Sequence, residues 1–183
     1  QKTAYEIRNC DWSSDVCSSD LSACRIIAAG QPEVRAAWLP SLARGESFTT
    51  VGISHLSTSR RHLAAPALAA RLVADGWRLD GTCPWVTGAD ACDSIVTGAA
   101  SATGEQLFFI VPTDAAGLSI APPLDMLALS GSRTSSVAFA GVRPAAVIAP
   151  SGGGVRTGGL ATDRKSTRLN SSHSSVSRMP SSA

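Results

Sequence analysis

The chain has 183 residues, of which 44% are hydrophobic and only 16% charged, with a formal net charge of +2. This length allows one domain, or one domain with tails, and a sizeable core. The small net charge excludes binding to nucleic acid or another polyanion through bulk electrostatics. From the short apolar runs we expect neither a transmembrane helix nor a secretory signal.

The two ends of the chain differ in composition from its middle. The peptide Asp11–Leu21 can be back-translated so that the complementary strand encodes Asp163–Ser172, and the outermost peptides are related in the same way. Such an inverted repeat in DNA resembles the read-through of a short-read library adapter. We therefore interpret residues 1–21 and 163–183 as translated adapter, disordered and without function. The alternative is a pair of serine-rich disordered tails.

A short helix is predicted at 32–44. Pro32 and Glu33 suit a first helical turn, and Val34 and Trp38 recur at helical spacing. Pro40 limits or kinks this helix, and the glycine that follows it at position 45 ends it.

From residue 48 onward the pattern is that of strands. Short runs rich in Val, Ile, Thr and aromatic residues are separated by Gly, Pro and Asp, which is typical of an antiparallel β sandwich or barrel. Asp75-Gly76 predicts a hairpin turn and Asp80-Gly81 a second turn. A glycine-rich linker follows residue 150. The predicted strand runs are 48–54, 76–88, 93–100, 105–113, 117–123 and 135–142.

Three cysteines remain once the ends are set aside, namely Cys24, Cys83 and Cys92. Their odd number and the lack of metal-ligand spacing predict a reducing compartment, the cytoplasm, and no metal. Cys83 and Cys92 are expected to be small buried residues. Ser54 and His55 are adjacent, so on a strand they would face opposite sides and make a poor nucleophile–base pair.

Four stretches of the chain resemble consecutive motifs of the acyl-CoA dehydrogenase family. GWRLDGTCPWVT at 76–87 matches G-W-x-L-x-G-x-K-x-W-[IV]-[ST], and the match continues through 107–120 and 127–144. AAGQPEVRAAWLPSLARGE at 28–46 resembles the segment that precedes this domain. Each motif is weak, but the order and spacing together are specific.

The resemblance implies a mainly β fold. It would be an antiparallel β barrel or sandwich of the acyl-CoA dehydrogenase middle-domain type, with a short N-terminal helical remnant. The implied divisions, between the two adapter segments, are the end of an N-terminal helical domain (22–47), the middle β domain (48–150) and the start of a truncated C-terminal helical domain (151–162).

The same resemblance implies FAD as the cofactor. Trp85, Val86 and Thr87 match the motif beside the isoalloxazine ring, with Trp85 flanking the flavin and Thr87 donating a hydrogen bond near its N5 and O4 edge. Ser54 matches a flavin-contacting threonine, and backbone groups near Ile53 would face the ring. Without the resemblance, Trp85 and Thr87 are expected to be ordinary residues of the sheet.

The sequence departs from the family in the turn at 55–61, where an acidic, glycine-rich segment is expected. Arg60 aligns with a serine that contacts FAD phosphate or acyl-CoA, so Arg60 is a candidate substrate ligand or a solvated loop charge. Arg133, with Ser132, Thr134 and Ser135, either contacts a flavin phosphate or lies in a solvated turn. Cys83-Pro84 and the Gly141–Pro144 segment depart from the pattern as well.

The function implied is α,β-dehydrogenation of an acyl-CoA thioester in fatty acid metabolism. The chain would be a fragment, inactive alone, of a homo-oligomeric enzyme whose proton-abstracting carboxylate lies in the missing C-terminal domain, so no catalytic residue is assigned. The expected partner is acyl-CoA or a similar thioester, without nucleic acid or membrane. The alternatives are a flavin-dependent monooxygenase on the same scaffold and a non-catalytic β-barrel binding module.

Overall fold

A computed structural model describes residues 13–57, 66–127 and 130–148. Two helices come first, α1 (Ser13–Ala28) and α2 (Pro32–Ala43), and a single helical turn, α3 (Ser54–Ser57), follows the first strand. The predicted helix at 32–44 is therefore confirmed, with Pro32 in its first turn and Pro40 accommodated inside it. The backbone N–H of Gly45 closes its end by donating to the Leu42 carbonyl (3.0 Å).

The described strands number eight. They are β1 (Thr49–Gly52), β2 (Leu68–Val73), β3 (Gly76–Val86), β4 (Ser94–Ser101), β5 (Gln106–Pro112), β6 (Leu118–Ile120), β7 (Ser135–Val142) and β8 (Ala146–Ile148). Two 3₁₀ turns, Ala89–Ala91 and Ser130–Ser132, precede β4 and β7.

The strands form one mixed sheet in the order β6-β7-β3-β2-β4-β5-β8. One edge of β4 is shared by two strands, because β1 pairs in parallel with residues 94–97 and β2 pairs in parallel with residues 100 and 101. The other pairs are antiparallel. The prediction of a mainly β fold is confirmed. The expected antiparallel barrel was wrong for the described part of the chain, where the sheet is open and mixed. It is mixed because β1 and β2 both pair with β4 in parallel.

Alternation along β4 and β5 divides the core between the two faces of the sheet. Ile95 and Phe109 point into the larger cluster, where Phe109 meets Trp77 edge to face at 5.7 Å between ring centroids. Val96 and Phe108 point to the opposite face, where α1 packs on them. From residues 19–28, where burial is described, the helix contributes the buried side chains of Ala23, Ile26 and Ile27.

Two local expectations were wrong. Residues 13–21, expected to be disordered, belong to α1, and the carboxylate of Asp20 accepts the backbone N–H of Thr49. Asp80-Gly81 is no turn, because β3 runs through it with a shift in its pairing to β7. Gly81 has a φ of 135°, which lets the strand bend without ending.

The hairpin predicted at Asp75-Gly76 is present. Val73 pairs with Gly76, so Ala74 and Asp75 form the turn between β2 and β3. No helix among the described residues is long and apolar enough to span a membrane.

Candidate functional site

The first part of the site is the junction between β1 and α3. β1 ends at Gly52, and the backbone N–H of Leu56 donates to the Ile53 carbonyl (2.9 Å) as the chain turns. Ser54 therefore begins a helical turn, and the predicted strand stops two residues earlier than expected. Ile53 and Ser54 are both half-buried, so they remain partly accessible from solvent.

The second part is the C-terminal end of β3. Trp85 is 51% exposed, although Pro84 before it is half-buried and Val86 after it is buried. Thr87 follows the strand and is half-buried. A half-exposed tryptophan on a sheet presents an apolar face that a ligand or another protein segment can cover.

Two hydrogen bonds join these parts. The Ser54 hydroxyl donates to the Trp85 carbonyl (3.3 Å), and the Thr50 hydroxyl donates to the Thr87 carbonyl (2.7 Å). The structure thus brings the predicted residues of β1 and β3 together although more than 30 positions separate them along the chain. Val86 differs from its neighbours, because its side chain is fully buried in the core and only its backbone faces the site.

A chain of hydroxyl groups leads inward from Thr87. Its Oγ1 lies 3.4 Å from Oγ1 of Thr134, which lies 2.8 Å from Oγ of Ser132. Thr134 and Ser132 are each only 6% exposed. The hydroxyl of Ser135, beside Val86 in the sheet, is buried and has no hydrogen-bond partner in the described part of the chain.

Arg133 lies between Ser132 and Thr134 in the sequence, but its side chain is directed to Asp90. Its backbone has a φ of 47°, and its guanidinium forms an ion pair with Asp90. The side chain is thus committed to the 3₁₀ turn before β4. Arg60, the candidate substrate ligand, lies outside the described residues.

A buried thiol and imidazole lie directly behind the junction, and sequence reasoning missed their pairing. The Cys83 sulfur is 3.2 Å from Oγ1 of Thr97 and 3.6 Å from Nδ1 of His55. His55 Nε2 lies 2.7 Å from the Gly98 carbonyl oxygen, and the Thr97 hydroxyl donates to the Gly52 carbonyl (2.7 Å). The burial predicted for Cys83 is confirmed, whereas Cys92, for which burial is also predicted, is half-buried.

The electrostatics of this cluster disfavour a nucleophilic thiolate. Burial raises the pKa of Cys83 to about 11, against a smaller lowering by its hydrogen bond to Thr97. The thiol of Cys83 therefore stays protonated at neutral pH. In the described part of the chain, no group of three or more His, Cys, Asp and Glu side chains is placed to hold a metal ion.

Comparison with known proteins gives relatives but no matching family model. The human mitochondrial short-chain specific acyl-CoA dehydrogenase is 27% identical over 118 residues, which is 62% of this chain and 28% of that enzyme. The chain therefore spans less than a third of the length of this relative.

Solved structures extend the relationship. An acyl-CoA dehydrogenase complexed with FAD from Bacillus anthracis is 25% identical, with a TM-score of 0.59 over 69% of this chain and 22% of that one. A glutaryl-CoA dehydrogenase from Mycobacterium smegmatis in complex with FADH2 is 26% identical, with a TM-score of 0.62 over 83% of this chain and 40% of that one. The resemblance to acyl-CoA dehydrogenases is thus confirmed by sequence and by structure.

Proposed function

We propose that this chain supplies one wall of the flavin site of an FAD-dependent oxidoreductase that removes the α and β hydrogens of an acyl-CoA thioester. One observation carries the proposal. The half-exposed Trp85 lies beside Ser54, which is hydrogen-bonded to its carbonyl, and two residues from Thr87. An exposed aromatic face with hydroxyl groups at its border suits a flat, polar-edged ring.

The residues present fit an isoalloxazine ring. Trp85 would cover one face and exclude water, the hydroxyls of Ser54 and Thr87 would hydrogen-bond to the polar edge, and the backbone of Ile53 and Val86 would complete the wall. FAD supplies the hydride acceptor when bound. Relatives crystallised with FAD or FADH2 support this assignment.

The catalytic base is proposed to come from outside the described residues. The candidate site has hydroxyl groups, an amide backbone and a tryptophan, and the carboxylate of Asp90, three residues after Thr87, is paired with Arg133. These groups can bind and orient a flavin, and none of them is suited to take a proton from a thioester α-carbon. Arg60 remains a proposed contact for the acyl-CoA.

We also propose that the chain is an internal fragment flanked by translated adapter at residues 1–21 and 163–183. The complementary coding of the two ends supports it, and so does the way α1 packs. Within residues 19–28 of α1, the part of the helix whose burial the structure describes, the first buried side chain is Ala23, whereas Leu21 is 54% exposed. Asp20 has one carboxylate oxygen without a hydrogen-bond partner among the described residues, and desolvation raises its pKa, which is an unfavourable position for a native carboxylate.

Long-read sequencing of the source DNA across the codons for Ser22 and Thr162 tests whether the chain is an internal fragment. A reading frame that continues on both sides into helical domains, with a carboxylate directed at the flavin, is the expected result. Reads that encode the flanking peptides themselves would overturn the adapter interpretation.

Trp85→Ala tests the flavin wall in that natural reading frame. We expect at least about fivefold weaker FAD binding, because an aromatic contact contributes about 1 kcal/mol beyond the area it buries. Titration of FAD fluorescence measures it. Leu72→Ala is the matched control, since Leu72 is 68% exposed and lies near the opposite end of the β2–β3 hairpin. Equal affinities of wild type and Trp85→Ala would contradict the proposal.

Experiments on the same protein distinguish the competing functions. A dehydrogenase is reduced by acyl-CoA, a monooxygenase consumes oxygen when its flavin is reduced, and a binding module gains no thermal stability from FAD. Dibenzothiophene monooxygenase from Paenibacillus, 20% identical with a TM-score of 0.63, shows only that the fold is shared. The free thiols of Cys24, Cys83 and Cys92 support a reducing compartment, which we propose to be the cytoplasm.

A further inference from the structure

The edge of β4 has a gap that two strands leave unfilled. β1 pairs with this edge as far as the Gly52–Thr97 pair, and β2 joins it at the Ala69–Ala100 pair. Among the described residues, no strand pairs with the Gly98 carbonyl on that edge between these two points. A buried carbonyl in a sheet needs a donor, because leaving it unpaired costs about 1–3 kcal/mol.

His55 provides that donor. Its Nε2 lies 2.7 Å from the Gly98 carbonyl oxygen, and since a carbonyl can only accept, Nε2 carries the hydrogen. In the neutral ring Nδ1 is then an acceptor, and it faces the Cys83 thiol at 3.6 Å. The imidazole is 7% exposed. It therefore links α3 to both β4 and β3 from inside the fold.

The neighbouring leucine docks at the same place. A Cβ on Gly98 would overlap Cδ1 of Leu56, so the side chain of Leu56 lies directly against the Gly98 backbone. Two consecutive residues of α3 thus converge on Gly98, one by a hydrogen bond and one by packing. This double contact fixes where α3 begins, and so fixes Ser54 and the carbonyl of Ile53.

We propose that His55 is a positioning residue for the flavin wall. It holds α3 against β4, so that Ile53 and Ser54 stay in register with the carbonyl of Trp85. This inference rests on the function proposed above. His55 lies behind the wall and acts through the backbone, without touching the flavin.

Three substitutions of His55 distinguish the roles of its two ring nitrogens. His55→Gln keeps an amide donor near the position of Nε2, His55→Asn keeps an acceptor near that of Nδ1, and His55→Ala removes both. Because the bond to Gly98 is short and the contact with Cys83 long, we expect Gln to retain most of the function, Asn less and Ala least. Thr113→Ala is the control, since it removes a 2.8 Å hydrogen bond to the Cys92 carbonyl at the other end of β4.

The first measurement is amide hydrogen exchange by NMR in the 183-residue chain. The Leu56 amide, bonded to the Ile53 carbonyl, should exchange at least tenfold faster in His55→Ala than in wild type. Amides of β5 and β7 should change no more than in Thr113→Ala. Unchanged protection at Leu56 overturns the positioning role, whatever the flavin result.

The second measurement is FAD affinity in the natural reading frame containing residues 22–162. We expect a loss of tenfold or more in His55→Ala, partial rescue by His55→Gln and no change in Thr113→Ala. Equal affinity of wild type and His55→Ala, with flavin bound by both, overturns the inference and leaves the proposed function standing. A wild type that binds no flavin overturns the proposed function and the flavin role of His55 with it.

Discussion

At the scale of single residues, Cys83 is a buried thiol in surroundings that favour its protonated form. Its sulfur is enclosed by Thr97, His55 and the Gly52 carbonyl, and burial raises its pKa from 9.0 to about 11. The native state therefore binds the thiol proton more tightly than the unfolded state does. This preference links stability to pH in the alkaline range.

We predict that the stabilisation from Cys83 is complete below pH 9.0 and is lost as the pH rises towards about 11. The loss should reach at most about 3 kcal/mol, since each pH unit corresponds to about 1.4 kcal/mol. Urea denaturation across this range measures it. Cys83→Ala should be less stable at neutral pH but should lose less stability on alkalinisation than wild type. Parallel pH profiles for the two proteins would refute the prediction.

The candidate site could be predicted in part from single residues. Ser54, Trp85 and Thr87 were found through their positions in motifs, and the structure brings them to one place. His55 and Thr134 were given no firm role, because their importance depends on contacts 43 and 47 positions away along the chain. Sequence spacing carries no signal for such contacts, since they arise only when strands pair.

At the scale of elements, the strands with alternating or aromatic-rich sequence were the predictable ones. β4, β5 and β7 match their predicted runs, because Val, Ile and Phe with adjacent turn residues favour a pleated, half-buried conformation. β2 was missed, since five of the six residues of LAARLV are good helix formers. Its hairpin with β3, formed at Ala74 and Asp75, overrides that propensity.

β3 depends on one glycine to continue past its bend. A Cβ at Gly81 would overlap the Ala67 carbonyl oxygen and lie 2.9 Å from the Leu68 Cα, at a φ of 135°. Backbone atoms cannot move aside as a flexible side chain can. We predict that Gly81→Ala destabilises the chain by about 3 kcal/mol or more, through strain and overlap together.

Chemical denaturation measures this effect, with Gly104→Ala as the control. Gly104 also has a positive φ, of 81°, but a Cβ there meets nothing within 4 Å. The control should lose only the strain contribution, about 1–2 kcal/mol. Equal losses in the two variants would show that overlap at the β3 bend contributes nothing.

At the scale of the whole molecule, the two faces of the sheet are closed by different means. One face is covered by strands and loops of the sheet itself around Phe109, and the other by α1 and α2. The helical cover rests on Ala23, Ile26 and Ile27, all in the second half of α1. Just before these residues in the same helix, Asp20 has one oxygen without a partner among the described residues, and Leu21 is exposed.

From this distribution we predict that a chain of residues 22–162 keeps the free energy of unfolding of the 183-residue chain to within about 1 kcal/mol. Losing the Asp20 acceptor for the Thr49 N–H costs some stability, and losing a half-buried carboxylate with a raised pKa offsets it. Ile27→Ala in the full chain sets the scale, because deleting a buried Ile side chain costs about 2–5 kcal/mol. Circular dichroism during urea denaturation compares the three proteins. A truncated chain as unstable as Ile27→Ala would mean that residues 13–21 are an integral part of the fold, and it would count against their origin as adapter.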